Sequence, residues 1–525
     1  MLPEKLKIIH QPLYVFGFAL MAVSLPFSLF LMSLSQFVLA GNWLLEGDFN
    51  NKWFRLKQNA PALMTMGIFI LYALGLIWTT NISEGINQLR MMAPVFVFPM
   101  IASSINLIDR VILKKMLLLF VFAVFFSSLY SMSLALRSGV DGLGDMRNLS
   151  PFVSHIRFSL MICMAIALLF ERLSNDQGWG NKVLSLMLLA WFIFFLFFVQ
   201  SLTGLIVLLI LSMLYLLFVM LPRLKRIYQV FTAAFVMIVG VMGVFLLYQD
   251  YKNYANAPII NTDMLPEFTS YGNPYNHDLN NLQIENGNYI WLFICESELR
   301  SSWNQRSSVD YDGEDAKGHP LRATLIRYLN SLGYSKDADG LSKLTVEDIK
   351  MIEAGHANFV YTRMGDYRQR LYQIYFEFDN ARNTSVPDGQ SILLRSELWR
   401  NAWHVIKKNP LLGSGTGDLK DEFNIAFKER ETELNERWWL LSHNQYLTIF
   451  GTFGVLGLIT FLILFAQPWL SQWNQLLMSA KGFFIIFSVS MISEDTLTSQ
   501  AGVSFFVFFT SIFILMKYGL RFTKQ

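Results

Sequence analysis

The chain has 525 residues, 53% of them hydrophobic and only 15% charged, with a formal net charge of +3 and a mean hydropathy of +0.38. Soluble domains carry about 25% charged residues, so the composition excludes an ordinary cytosolic enzyme, a disordered chain and a small disulfide scaffold. The small net charge gives no footing to a nucleic-acid partner, and the expectation is a membrane protein.

Twelve apolar windows approach the roughly 20 residues that a membrane-spanning helix needs. They lie near 11–28, 31–46, 59–79, 84–104, 115–136, 151–170, 182–199, 202–220, 229–248, 441–466, 476–493 and 500–517. Lys5 and Lys7 ahead of the first window imitate a secretory leader, but a second apolar run follows without a small-residue cleavage site, so the start reads as retained. With the N-terminus inside, seventeen Lys and Arg residues fall in inner segments, against Arg137 and Arg147 in the short outer loops. The positive-inside rule therefore puts both termini in the cytoplasm and the long 249–440 segment outside.

The expected fold is an all-α polytopic membrane protein of about 12 transmembrane helices, with one large, mainly helical outer domain between helices 9 and 10. Its segments are 1–248 for the first nine helices, 249–440 for the outer domain and 441–525 for the last three. The outer segment holds 21 basic and 28 acidic residues, so the overall +3 hides +10 on the helices and −7 outside. Thr345-Val-Glu-Asp348 spells a capping box that opens a short helix, with Gly355 placed to close it. Leu394, Leu398, Trp399, Trp403 and Ile406 share one face of a helix between Gln390 and Lys408, which Pro410 ends. Cys163 in an apolar stretch and Cys295 in a polar one argue against a disulfide.

A few charges stand where they are costly. Arg157 falls about six residues into the sixth window, two residues after His155, and Arg90 falls similarly deep in the fourth. A guanidinium at such depth faces a polar cavity or a partner, or else snorkels to the interface. Arg395 precedes the turn Asn409-Pro-Leu-Leu-Gly413-Ser-Gly415-Thr-Gly417-Asp418, which either brings backbone N–H groups to an anion or only stops a helix. It lacks the preceding strand and the spacing of a dinucleotide fingerprint. The acidic run Asp310-Tyr-Asp312-Gly-Glu314-Asp315 lacks calcium-loop spacing and reads as a solvated loop. Ser442-His443-Asn444 opens the tenth window, followed by Gly451, Gly454 and Gly457, a spacing that lets a helix or lipid chain approach closely.

His443-Asn444, nine residues, then Gly454-Val-Leu-Gly457 resembles the signature of the O-antigen ligase family at every position. The resemblance extends upstream through the glycine turn to Arg395 and downstream to Glu494-Asp495, about the final 130 residues, and Arg157 is similar to the family's basic residue in an earlier span. It implies a metal-independent glycosyltransferase without cofactor in the bacterial inner membrane, with its active site on the periplasmic face and the outer domain periplasmic. The implied donor is a glycan on undecaprenyl diphosphate, and the implied acceptor is the lipid A-core of lipopolysaccharide. Relatives polymerise such glycans or attach them to protein, and these remain alternatives within the resemblance. A twelve-helix transporter is the rival outside it, opposed by the nine-plus-three division of helices and the lack of matching halves; a sensor or scaffold is the remaining reading.

Breaking an anomeric carbon to phosphate bond without a metal calls for fixed cations. Arginine suits the task because its planar fork binds phosphate oxygens in pairs and stays charged. Arg157 and Arg395 are the expected diphosphate ligands, with Arg90 third, and His155, Asn444 and Asp418 complete the expected substrate-binding set. His443 is the expected general base, giving inversion, or alternatively a diphosphate ligand.

Overall fold

The computed structural model describes residues 4–105, 108–142, 150–175, 178–216, 221, 224–257, 264–363, 369, 371–377 and 391–516. Arg147, Arg223, Lys517, Arg521 and Lys524, which contribute to the charge count above, lie outside the described residues. By internal contacts the chain forms two compact units, Met1–Met220 with Arg395–Gln525, and Leu221–Leu394. The first unit thus takes in Arg395 to Leu440, and the second takes in the ninth apolar window, so contacts divide the chain differently from hydropathy.

The first unit contains α1 (Glu4–Ser24), α2 (Leu29–Glu46), α3 (Phe49–Lys57), α4 (Ala60–Leu74, extended by a 3-10 turn to Trp78), α5 (Ile82–Ser104), α6 (Arg110–Gly142), α7 (His155–Asn175), α8 (Trp179–Phe198) and α9 (Leu202–Tyr215). The second begins with α10 (Arg226–Ala255). The first resumes with α11 (Ser391–Lys408, from Arg395 on), α12 (Leu419–Glu429), α13 (Gln445–Leu470), α14 (Met478–Ser493) and α15 (Gln500–Thr510), which runs into a π-helical turn, Ser511–Leu515. Each apolar window falls on a helix. Among the described residues, α2, α4 with its extension, α6, α8, α10 and α13 are long and apolar enough to cross a membrane. The protein is a helical membrane protein.

Side-chain caps start many of these helices by satisfying the orphan N–H groups of the first turn. Ser28 accepts from the Leu31 N–H, Asn59 from Ala62, Asn81 from Glu84, Ser201 from Gly204 and Ser499 from Gly502. The bundle interior is filled by aromatic rings, among them Phe465, Phe483, Phe487, Phe506 and Phe509 in successive contact. The third helix, α3, is absent from the hydropathy windows because its nine residues are too few and too polar to register.

Two helix starts differ from the windows. The sixth window opens at Pro151, but α7 begins at His155, with the Ser154 carbonyl accepting from the Phe158 N–H. Arg157 is therefore in the first turn of its helix, not buried along it. The tenth window opens at residue 441, whereas α13 begins at Gln445 with Asn444 as its cap, so His443 precedes the helix.

In the second unit, α10 exposes apolar side chains along its length. The polar part packs Leu299, Trp303, Tyr311, Leu325, Leu329 and Ile352 into its own core, beside one short hairpin, Ile284–Glu285 with Asn288–Tyr289. The capping box is present, with Thr345 and Asp348 bonding reciprocally at the start of helix Val346–Glu353, and Gly355 takes a positive φ just beyond it. At its centre Arg327 makes two 2.9 Å hydrogen bonds to the buried Glu285 carboxylate, which also accepts from Asn358 at 2.8 Å.

Candidate active site

The glycine turn and the signature glycine explain one another. Gly454 interrupts α13 with φ 64° and ψ −171°, a left-handed backbone that side-chain-bearing residues resist. A Cβ there would also stand 2.2 Å from the Leu411 carbonyl carbon, and one on Gly413, likewise at positive φ, would stand 2.4 Å from that of Thr452. The two chain segments instead bond through their backbones. Ser414 and Gly415 N–H groups donate to the Gly451 and Thr452 carbonyls, and the Val455 N–H donates to Pro410. The turn's donors are thus spent on the protein, which settles its role as a clamp that holds the start of α13. Thr416 fastens the same turn to the end of α4 by donating to the Tyr72 carbonyl at 2.6 Å.

Asp418, expected at the donor site, instead receives the Thr80 and Asn81 N–H groups at 2.7 and 2.6 Å. Its carboxylate closes the turn that leads into α5, because two orphan amides there offer it charge-assisted bonds. Asn444 is likewise employed by the backbone, accepting from the Tyr446 and Leu447 N–H groups. Arg90 lies exposed on α5, outside the ion pairs and charge interactions of the site. His155 stands at the first position of α7, two residues before Arg157, and its carbonyl accepts from Ser159.

The remaining expected residues converge. His443 sits at the mouth of α13 with φ 48°, a left-handed conformation that costs energy for a residue carrying a side chain. Its backbone amide lies near enough to the Asp495 carboxylate to favour that group's charged form. Asp495 accepts from the Thr448 hydroxyl at 2.6 Å, and Thr448 lies 2.9 Å from the Ser442 hydroxyl. Trp399 on α11 donates to the Ser442 carbonyl at 3.0 Å, while Gln445 accepts the Leu497 N–H at 2.7 Å. These bonds lock α11, the 442–448 segment and the 494–498 loop together around one histidine.

Two arginines lie within electrostatic reach of that histidine. Arg395 lies 3.7 Å from the Glu494 carboxylate, a loose pairing, and Arg157 acts electrostatically on His443, Glu494 and Asp495 alike. Arg157 also approaches the Ser154 hydroxyl at 3.4 Å. The Nε atoms of both arginines are buried without a hydrogen-bond partner. Buried donors of this kind are uncommon in proteins, and both of these arginines act electrostatically on His443 and Glu494. Burial, with Arg395 and Arg157 adding to it, holds the His443 imidazole below its ordinary pKa of 6.5. Burial pushes the Asp495 carboxyl up to about 6, against the pull of Thr448, the His443 N–H and Arg157. Glu494 is raised too, since burial outweighs its two arginines.

Glu494 and Asp495 were visible in the sequence only as the far end of the family resemblance. Their place against Arg395 and His443 depends on pairings across 99 residues for Arg395 with Glu494 and 52 for His443 with Asp495. Of the helical face expected on α11, Leu394, Leu398 and Ile406 are buried, but Trp403 points outward. Among the described residues, no group of three His, Cys, Asp or Glu side chains is placed to hold a metal ion.

Residues 355–462 match the family model described as O-antigen ligase. The matched stretch includes Arg395, the glycine turn, His443, Asn444, Gly454 and Gly457; Arg157, Glu494 and Asp495 lie outside it. No curated protein matches the chain.

Proposed function

We propose that this membrane protein, which carries the O-antigen ligase domain, transfers a glycan from undecaprenyl diphosphate to an acceptor hydroxyl on lipid A-core. The reading places twelve spans in the bacterial inner membrane, both termini in the cytoplasm, and His443 on the periplasmic face. The observation that supports it best is the meeting of His443 with Arg157 and Arg395, whose Nε donors are buried and unpartnered, beside a helix start.

In the proposed reaction the acceptor oxygen attacks the anomeric carbon as the bond from that carbon to the phosphate oxygen breaks. The hydroxyl proton passes to the His443 imidazole, and undecaprenyl diphosphate departs with the bonding electrons. Arg157 and Arg395 meet the charge that grows on the departing oxygens, which is where preorganised donors accelerate a reaction most. With the arginines in that role the step needs no metal ion. A single displacement inverts the anomeric centre.

The low pKa of His443 keeps the imidazole neutral at pH 7 and free to accept a proton. The backbone that presents the ring is held by the Ser442, Thr448 and Asp495 bonds and by Trp399 on the Ser442 carbonyl. Turnover by purified protein given lipid-linked glycan, with lipid A-core, free glycan or peptide as acceptor, tests the reaction. Transfer to the core supports ligation; transfer only to glycan or only to peptide replaces it with polymerisation or protein modification. For the base, His443→Gln is expected to lose ~10²- to 10⁴-fold in turnover. Near-normal turnover with an unchanged pH profile would remove His443 from that role.

A further inference from the structure

The short helix α3 has an inverted pattern that a water-facing helix would not adopt. Its Lys52 is 2% exposed, while Phe49, Trp53 and Phe54 are 51%, 55% and 63% exposed. The lysine is fully engaged inside. It pairs with Glu46 at 2.8 Å, donates to the Trp43 carbonyl at 2.6 Å and sits over the Trp43 ring. Tyr14 on α1 donates to the same Glu46 at 2.6 Å. With Leu56 buried beside Lys52, α3 is fastened flat against the bundle by one face and cannot turn its aromatics inward.

At 100° per residue, Phe49 and Trp53 occupy one flank of α3, with Lys57 beyond them, whereas Asn51 and Arg55 occupy the other. The Lys57 ammonium stands 5.2 Å from the Trp53 ring centre. An aromatic flank edged by basic side chains is the arrangement of a helix lying in the headgroup region of a bilayer.

The surroundings add further cations, with Asp48 at the start of α3 standing 3.7 Å from Arg55 in a loose pairing and Asp109 exposed beside Arg110. The α3 end of the bundle is the one opposite His443, because Asn59 just beyond α3 donates to the Leu515 carbonyl at the far end of α15, while α15 starts beside the 494–498 loop. Arg110, Lys114 and Lys115 on the first turns of α6 belong to this end, since α5 runs from the Asp418 turn towards it. Lys114 and Lys115 are exposed. We propose that α3 is an interfacial docking helix for anionic phospholipid, with Phe49 and Trp53 inserted at the headgroup boundary and Arg55 and Lys57 against the phosphates. The surface is independent of the transfer reaction assigned to the opposite end.

The test uses the full-length protein labelled with bimane at Phe54→Cys and reconstituted into vesicles. Cys163 and Cys295 are buried and leave the label specific. Lipids brominated near the top of the acyl chain should quench the label, and replacing part of the phosphatidylcholine by phosphatidylglycerol should strengthen quenching several-fold. Arg55→Gln with Lys57→Gln should abolish that increment. A label at the exposed Leu119→Cys on α6 verifies insertion. No quenching at position 54 while position 119 is quenched would overturn the docking helix. Equal quenching with and without phosphatidylglycerol would overturn the choice of anionic lipid.

Discussion

Two regions of this molecule bury arginine beside a carboxylate, and they do it in opposite ways. In the polar core of the second unit, Arg327 meets Glu285 through two 2.9 Å bonds, Asn358 takes a further acceptor site, and the guanidinium lies 3.9 Å from the Phe376 ring centre. At the mouth of α13, Arg395 stands 3.7 Å from Glu494, and its Nε has no partner. The first is a completed structural network; in the second, donors remain uncommitted. Burial alone does not separate a functional charge from an architectural one; what differs here is the bonding, complete between Arg327 and Glu285 and open at the Arg395 Nε.

The largest expected effects test that contrast. Arg395→Lys and Arg157→Lys should each lower transfer by ~10²-fold or more, since a point charge cannot replace a paired fork, while thermal stability and membrane insertion stay close to wild type. Arg327→Gln should do the reverse, destabilising its domain by about 3–5 kcal/mol as Glu285 is left buried with its charge uncompensated. Thermal unfolding read alongside turnover would break the comparison if Arg395→Lys proved the unstable variant.

A smaller effect concerns the Thr448 hydroxyl on Asp495. Thr448→Val removes one charge-assisted hydrogen bond, worth about 1.5 kcal/mol, and should slow turnover by ~10-fold with the donor KM unchanged. A KM change without a kcat change would place Thr448 in donor binding. The pH profile sharpens the electrostatic side. Because burial and the arginines hold His443 below 6.5, turnover should persist below that pH and fall only as the neutral base is lost at lower pH. Arg395→Gln removes one of the lowering influences, so the acid limb of its residual activity should move up towards 6.5. The smallest expected effect is that of a chelator: transfer should be unchanged in excess EDTA, and a loss restored by divalent cation would displace the arginines from their role.

Hydropathy made the apolar helices legible because twenty apolar residues in a row have few other uses. The capping box at Thr345 was equally readable, being local and reciprocal. Features set by distant partners were not. Asp418 looks like a ligand until the Thr80 and Asn81 amides are seen to occupy it. Arg157 looks deeply buried along a helix until α7 is seen to start at His155. The signature singles out His443 for its chemistry, but gives no sign of its positive φ or of the Asp495 carboxylate near it, which arise only when α13 and the 494–498 loop meet. Lys52 reads as one more inner-loop cation, though its side chain is the peg that seats α3.

The interruption at Gly454 divides α13 into an upper section of about nine residues and a lower one that continues to Leu470. A continuous rod transmits any tilt along its whole length, so a change in bilayer thickness would swing the residue at its tip. Here the break is braced on both sides: the Gly451 and Thr452 carbonyls above it accept from Ser414 and Gly415, and the Val455 and Leu456 N–H groups below it donate to Pro410 and Leu411. The consequence is a built-in bend with the 410–415 turn as its splint. The station of the histidine is set by that splint rather than by the axis of the long lower section.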